Sequence, residues 1–140
     1  MQREGFDVLF ISGEELHSGE FSVRVKPSLR EFVDLLKKCS IFIVNDSGPL
    51  HLAQQCGASV VGIYGPGDPK ITGLRSLSSG EVVYHSFPCS PCRQRFFAEC
   101  EPSQNQKPFC IETITVEEVW RVVKSILKDG GSRRPSGMET

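Results

Sequence analysis

The residues best suited to chemistry follow directly after the apolar run at residues 41–44, and they are Asn45, Asp46, Ser47, Gly48 and His51. Pro49 suits the first turn of a helix, so these residues are predicted to join a strand to a helix. The backbone N–H groups of Gly48, Leu50 and His51 would then form the positive end of that helix, where an oxyanion or pyrophosphate binds. Asp46 repels phosphate by its charge and is better suited to a sugar or ribose hydroxyl.

A purely structural interpretation of the same residues is equally good from physical chemistry alone. Asp46 or Ser47 would cap the helix, and His51 would be a surface residue. A hydrolase with Ser47 as nucleophile and His51 as base is disfavoured, because the G-x-S-x-G pattern of a nucleophile elbow is absent.

A second candidate site comes from the cysteines, of which the chain has six. Four of them lie close together in the sequence: Cys89, Cys92, Cys100 and Cys110. A C-x-x-C pair with two further thiols is typical of a structural Zn²⁺ site, although Cys100 and Cys110 are more widely spaced than usual. Reduced thiols and disulfides formed after oxidation remain alternatives, while Cys39 and Cys56 are predicted to be small buried residues at helix ends.

Strands and helices that would position these residues alternate along the chain. Apolar runs predict strands at residues 6–11, 21–25, 41–44 and 59–64, and a short one at 81–84. Helices are predicted at residues 29–38, 50–56 and 115–128; capping boxes open the first and the last, through Ser28 with Glu31 and Thr115 with Glu118. The last helix is predicted to turn Val116, Val119, Val123 and Leu127 inward. This order predicts an α/β fold, in which a parallel sheet has helices on both faces and binds ligands at the carboxyl ends of its strands.

Composition narrows the functional classes further. The chain has 140 residues, enough for a single domain, and its 16 basic and 17 acidic residues give a net charge of −1. This balance argues against a nucleic-acid-binding protein, which usually carries a basic excess. No signal peptide or apolar run of membrane-spanning length is recognisable, so a cytoplasmic protein is expected. Residues 129–140 are predicted to form a disordered tail.

The segment NDSGPLHLA at residues 45–53, followed by a strand and YGPGDP at residues 64–69, resembles the C-terminal half of the family-9 glycosyltransferases. These are the ADP-heptose:lipopolysaccharide heptosyltransferases and their relatives. The resemblance extends over roughly residues 5–128, including the cysteine-rich loop at 87–110 and ITVEEV at 114–119. It implies a Rossmann-like, nucleotide-sugar-binding domain of a GT-B enzyme.

Carried over by position, the resemblance implies that Asp46, Ser47, Gly48 and His51 hold the diphosphate and sugar of an ADP-sugar donor. Gly65, Pro66 and Asp68 match the next strand-end loop, and Glu14 loosely matches an acidic position near the ribose; a solvated turn residue is the alternative for Glu14. No cofactor is expected for catalysis, the four cysteines are associated with no catalytic metal, and the inner face of the inner membrane is a possible place of action.

The resemblance also implies that important parts of the enzyme lie outside this chain. The first strand of the domain is one of them. The N-terminal domain, which would bind the lipopolysaccharide core or lipid A precursor acceptor and supply the catalytic base, is another. We therefore expect no catalytic residue in this chain and no sugar transfer by it alone. The alternative is a non-catalytic nucleotide-sugar-binding remnant or a Zn-stabilised partner module. An exposed sheet edge would favour self-association.

Overall fold

The computed structural model describes residues 5–15, 22–73, 80–92, 100 and 108–128. The chain divides into two compact units, Met1–Leu35 and Leu36–Thr140. The predicted tail at 129–140 lies outside the described residues, so the domain boundary at 128 stays a prediction. Within the described part of the chain, no helix has the length and apolar character needed to cross a membrane.

The first unit contains two parallel strands, β1 (Leu9–Ser12) and β2 (Ser22–Val25), with Leu9 opposite Ser22. Helix α1 (Leu29–Lys38) begins in this unit, at the predicted residue. Its capping box is confirmed, because the Glu31 carboxylate accepts the Ser28 N–H at 2.8 Å and the Glu31 N–H donates to Ser28 Oγ at 3.3 Å. The hydrogen bonds from the backbone and side chain of Ser28 lower the pKa of Glu31.

The second unit contains a three-stranded parallel sheet in the order β3 (Phe42–Asn45), β4 (Val60–Tyr64), β5 (Gly80–Tyr84). Helix α2 (Gly48–Gln55) connects β3 to β4, and the short α3 (Pro69–Thr72) lies between β4 and β5. A second short helix, α4 (Phe109–Glu112), precedes α5 (Val116–Lys128). The two four-residue helices were not predicted, because one turn is too short to show helical periodicity.

The central strand β4 is covered by helices on both faces. Val61 belongs to a buried cluster with Val83 of β5 and with Val123 and Ile126 of α5. On the opposite face, a Cβ added to Gly62 would stand 3.3 Å from Leu50 Cδ1 of α2. Since successive strand residues face opposite sides, the prediction of helices on both faces is confirmed for this sheet.

The ends and faces of two helices refine the sequence predictions. Helix α2 starts at Gly48, one residue before Pro49, which was predicted to occupy the first helical position. It ends before Gly57, whose φ of +73° is the left-handed conformation that favours glycine. In α5 the predicted inward position of Val116 is wrong, since this side chain is 79% exposed. Val116 is the first residue of the helix, and the buried face runs through Val123 and Ile126, about two and three turns further along.

The capping box of α5 also connects the helix to the end of β5. The Glu118 carboxylate accepts the Thr115 N–H at 2.8 Å, as predicted, and additionally accepts His85 Nε2 at 2.8 Å. His85 Nδ1 pairs with the Thr113 hydroxyl at 2.9 Å. The Thr115 N–H, then His85, then the Thr115 hydroxyl lower the pKa of Glu118 to about 2. Because these bonds favour the ionised carboxylate, Glu118 makes stability depend on pH.

Replacing Glu118 by Gln should remove a pH-dependent part of the stability, measured as the urea midpoint between pH 7 and pH 2. The pKa of Glu118 is about 2 in the folded chain against an ordinary 4.5. The wild-type advantage over Glu118→Gln should therefore be complete above about pH 4.5 and vanish as the pH falls through about 2. The matched control is Glu117→Gln, on the exposed first turn of the same helix. An advantage independent of pH would contradict the assignment.

The first unit exposes apolar side chains on its two strands, including Leu9 at 44% and Val25 at 36%. Each strand of a two-stranded sheet is an edge strand, and exposed apolar edges promote association. We expect concentration-dependent self-association in sedimentation velocity, reduced by Leu9→Lys. The control is Leu29→Lys, since Leu29 is 70% exposed but lies on a helix. A strictly monomeric wild type at high concentration would contradict this prediction.

Candidate functional site at the carboxyl ends of β3 and β4

Asp46 connects the loops that follow the two neighbouring strands. Its N–H donates to the Ile63 carbonyl at 3.0 Å, which continues the β3–β4 ladder by one residue. Its carboxylate lies directly against Gly67, where a Cβ would overlap Oδ2. The negative charge of Asp46 also adds to the effect of burial in raising the pKa of Tyr64. The two strand-end loops therefore meet at a carboxylate.

The N-terminus of α2 lacks a side-chain cap from the residue in the cap position. Ser47 occupies that position, but its hydroxyl donates to the Asn45 carbonyl at 2.9 Å. The interpretation of Ser47 as a capping residue is therefore wrong, because its hydroxyl turns back toward the strand. Gly48 is exposed, and a Cβ added to it would have no heavy atom within 4 Å. The space beside Gly48 is therefore open to a ligand.

One of the three N–H groups predicted to face an anion is already engaged. The Leu50 N–H donates to the Ser47 carbonyl at 3.0 Å. His51 is exposed in the first turn of α2, as both interpretations of the sequence require. The structure thus leaves Gly48 and His51 as the accessible members of the predicted set.

His51 also borders a shallow hollow of about 200 Å³ between α2 and the end of α3, lined by His51, Gln54, Gln55, Ile71, Thr72 and Gly73. Gln54 is only 5% exposed, and its Nε2 lacks a hydrogen-bond partner in the described structure. The Thr72 carbonyl accepts the Tyr64 hydroxyl at 2.8 Å, which fixes the α3 side of the hollow to β4.

The loop after β4 is held by several structural contacts. Gly65 is buried beneath Ile111, whose side chain a Cβ on Gly65 would overlap, and the Pro66 carbonyl accepts the Cys92 N–H at 2.9 Å. Asp68 caps α3, since its carboxylate accepts the Lys70 N–H at 2.9 Å. These contacts explain the shape of the loop, and the predicted contact of Gly65, Pro66 and Asp68 with a nucleotide sugar stays a prediction.

Glu14 lies in the first unit, after β1, with an exposed side chain and an N–H that donates to Ser12 Oγ at 3.0 Å. Its predicted place near a ribose stays a prediction. Sequence reasoning missed two residues of the site, Gly67 and Tyr64. The available signal for Gly67 was a second glycine, next to Pro66, in the loop that follows a buried strand, because close approach of a neighbouring side chain needs such a residue.

Comparisons with known proteins show the family to which the chain belongs. The family model "Glycosyltransferase family 9 (heptosyltransferase)" matches residues 11–100, which is more than half of the chain. This chain belongs to glycosyltransferase family 9. The match includes the loops after β3 and β4, and both residues of the Asp46–Gly67 contact.

Curated relatives of this family-9 chain are lipooligosaccharide heptosyltransferases. The chain is 29% identical over 104 residues to lipooligosaccharide heptosyltransferase 2 of Campylobacter jejuni serotype O:2. This alignment covers 74% of this chain and 31% of that protein. It is 36% identical over 59 residues to the protein of the same name from Haemophilus influenzae, covering 42% of this chain and 17% of that protein. The family-9 chain thus spans a third or less of the length of these relatives.

A solved structure supports the fold. The glycosyl transferase family 9 protein from Veillonella parvula superimposes with a TM-score of 0.68 at 22% sequence identity, over 91% of this chain and 38% of that one. The predicted fold class, α/β with parallel sheets in a family-9 glycosyltransferase domain, is confirmed.

Gly67→Ala should disturb the site through space, because the added methyl group overlaps the Asp46 carboxylate. We expect a loss of about 1–3 kcal/mol in the free energy of unfolding, as is typical of overpacking. The loss should shrink when Asp46→Ala removes the carboxylate, which a double-mutant cycle in urea measures. The control Gly13→Ala adds a methyl group with no neighbour within 4 Å. Additive effects of the Asp46 and Gly67 substitutions would contradict the contact.

Proposed function

We propose that this chain is the nucleotide-sugar-binding half of a heptosyltransferase that acts in lipopolysaccharide core assembly. The donor is an ADP-heptose-like sugar nucleotide, and it binds at the carboxyl ends of β3 and β4. The observation that carries the proposal is the contact of Asp46 with Gly67, which joins the loops after these strands beside the uncapped end of α2.

Charge and geometry support separate tasks for the residues of this site. The diphosphate of the donor suits the positive end of α2, where the open space at Gly48 admits close backbone approach and His51 supplies a side-chain donor. When it is ionised, Asp46 accepts hydrogen bonds and donates none, so it suits the hydroxyl groups of the ribose or the heptose rather than the phosphates. Ser47 follows Asp46 and completes the polar turn.

The proposal includes a limit on activity. The Campylobacter heptosyltransferase that resembles this chain is more than twice as long, since the 104 aligned residues are 74% of this chain and 31% of that protein. Transfer of a sugar requires an acceptor and a catalytic base positioned against the donor in a site that excludes water. We propose that a separate domain supplies the base and the lipopolysaccharide acceptor, and that this chain binds the donor without transferring heptose by itself.

The test is an NMR titration of the isotope-labelled chain with ADP-heptose, ADP, UDP and GDP. We expect saturable shifts at residues 46–51 with ADP-heptose and ADP, and about tenfold weaker binding of UDP and GDP. Gly48→Trp should abolish the shifts, because the indole fills the open space in front of α2. Val116→Trp is the matched control, since it adds the same group at the exposed first residue of α5.

Each result of this titration decides between alternatives. Shifts at residues 46–51 without release of ADP from ADP-heptose support a donor-binding half that is inactive alone. Release of ADP with transfer to an added lipopolysaccharide acceptor would overturn the limit on activity. A dispersed spectrum without shifts would overturn donor binding, and would favour a non-binding remnant or partner module.

A further inference from the structure

The loop that follows β5 places two cysteines on a tight turn. The Ser90 N–H donates to the Phe87 carbonyl at 2.8 Å, and the Phe87 N–H donates to Ser90 Oγ at 3.0 Å. Cys89 lies inside this turn, and Cys92 lies two residues after it. The Cys92 N–H then donates to the Pro66 carbonyl, which anchors the turn on the loop after β4.

Helix α4 brings a third cysteine to the same loop. Ile111 packs against Gly65, and Cys110 Sγ lies 3.5 Å from where a Cβ of Gly65 would stand. Cys92 and Cys110 are distant in sequence, yet they contact the adjacent residues Pro66 and Gly65. The fold therefore brings the C-x-x-C pair and Cys110 to the same loop.

All four cysteines of the pattern are free thiols, as are Cys39 and Cys56, so all four are available as ligands. Like-charged thiolates at short range repel, and a bound divalent cation removes this repulsion.

Zn²⁺ is the cation that fits four thiolates, which it binds in a tetrahedron at about 2.3 Å. Within the described residues, no three His, Cys, Asp or Glu side chains are already arranged to hold a metal ion. Binding therefore requires the thiols to draw together. The only regular structure in the described part of residues 85–112 is the single turn of α4, so the metal would supply order that a hydrophobic core does not.

We propose that Cys89, Cys92, Cys100 and Cys110 together bind one Zn²⁺ ion as a structural site that fixes the cysteine-rich loop against Gly65 and Pro66. The site lies behind the loop after β4, so the metal would brace one wall of the candidate donor site. It performs no step of sugar transfer. The proposal does not depend on the identity of the donor.

The first test uses the full chain, purified under reducing conditions and freed of metal. Titration with Co²⁺ should give one bound ion per chain, with thiolate-to-cobalt charge-transfer absorption, and Zn²⁺ should displace it. Elemental analysis of protein expressed with zinc should give one zinc per chain. Absence of both signals, or mass-spectrometric detection of disulfides among these cysteines in the protein as purified, would overturn the proposal.

Cysteine variants distinguish a loss of zinc binding from a general loss of stability. Cys110→Ser should lose most of the zinc, whereas Cys110→His should retain it with an altered Co²⁺ spectrum, since histidine replaces a thiolate as ligand. Cys39→Ser and Cys56→Ser are matched controls, because both cysteines are half-buried and lie outside the cluster. Both variants should keep one zinc ion per chain.

A chelator should lower the melting temperature of the wild type and leave that of Cys110→Ser unchanged. Full zinc content in Cys110→Ser, or loss of zinc in both controls, would contradict the assigned ligands.

Discussion

Burial of β4 on both faces is the constraint on which the second unit depends. A strand that is covered by helices on both faces must carry apolar side chains throughout, and it needs a small residue where a helix approaches closely. Val60, Val61 and Tyr64 are completely buried, and Gly62 leaves room for Leu50 of α2. Because the strand is fixed on both sides, the loop that follows it starts from a rigid position, which a binding site at a strand end requires.

The loop after β4 is where the main features of the unit converge. Because Gly67 has no side chain, the carboxylate of Asp46 can lie against it. Gly65 in the same way leaves room for Ile111 and Cys110. Both glycines are needed because of space rather than backbone conformation, since neither has a positive φ. The same short loop therefore borders the candidate donor site and the candidate metal site.

The contacts around this loop also separate structural roles from ligand-binding roles. Asp68 is a helix cap, Tyr64 anchors α3 through its hydroxyl, and Ser47 turns back to the strand. Gly48 and His51 remain accessible in the described structure. The chain belongs to glycosyltransferase family 9, and these contacts are the reason why Gly48 and His51 are the residues proposed to meet a donor.

The sequence alone determined the order and type of the main elements, because their signals are local. Capping boxes located the starts of α1 and α5, and apolar runs located the strands to within a few residues. The family motif likewise indicated the strand-end loops at residues 45–48 and 65–68. The tertiary structure decided the contacts between segments that are distant in the chain. These are the contacts of the Asp46 carboxylate with Gly67, of His85 with Glu118, and of Cys110 with the space beside Gly65. No local pattern encodes these distances, since they depend on how β4 is packed between its helices, and for the same reason the exposure of Val116 and the burial of Ile126 were not foreseen.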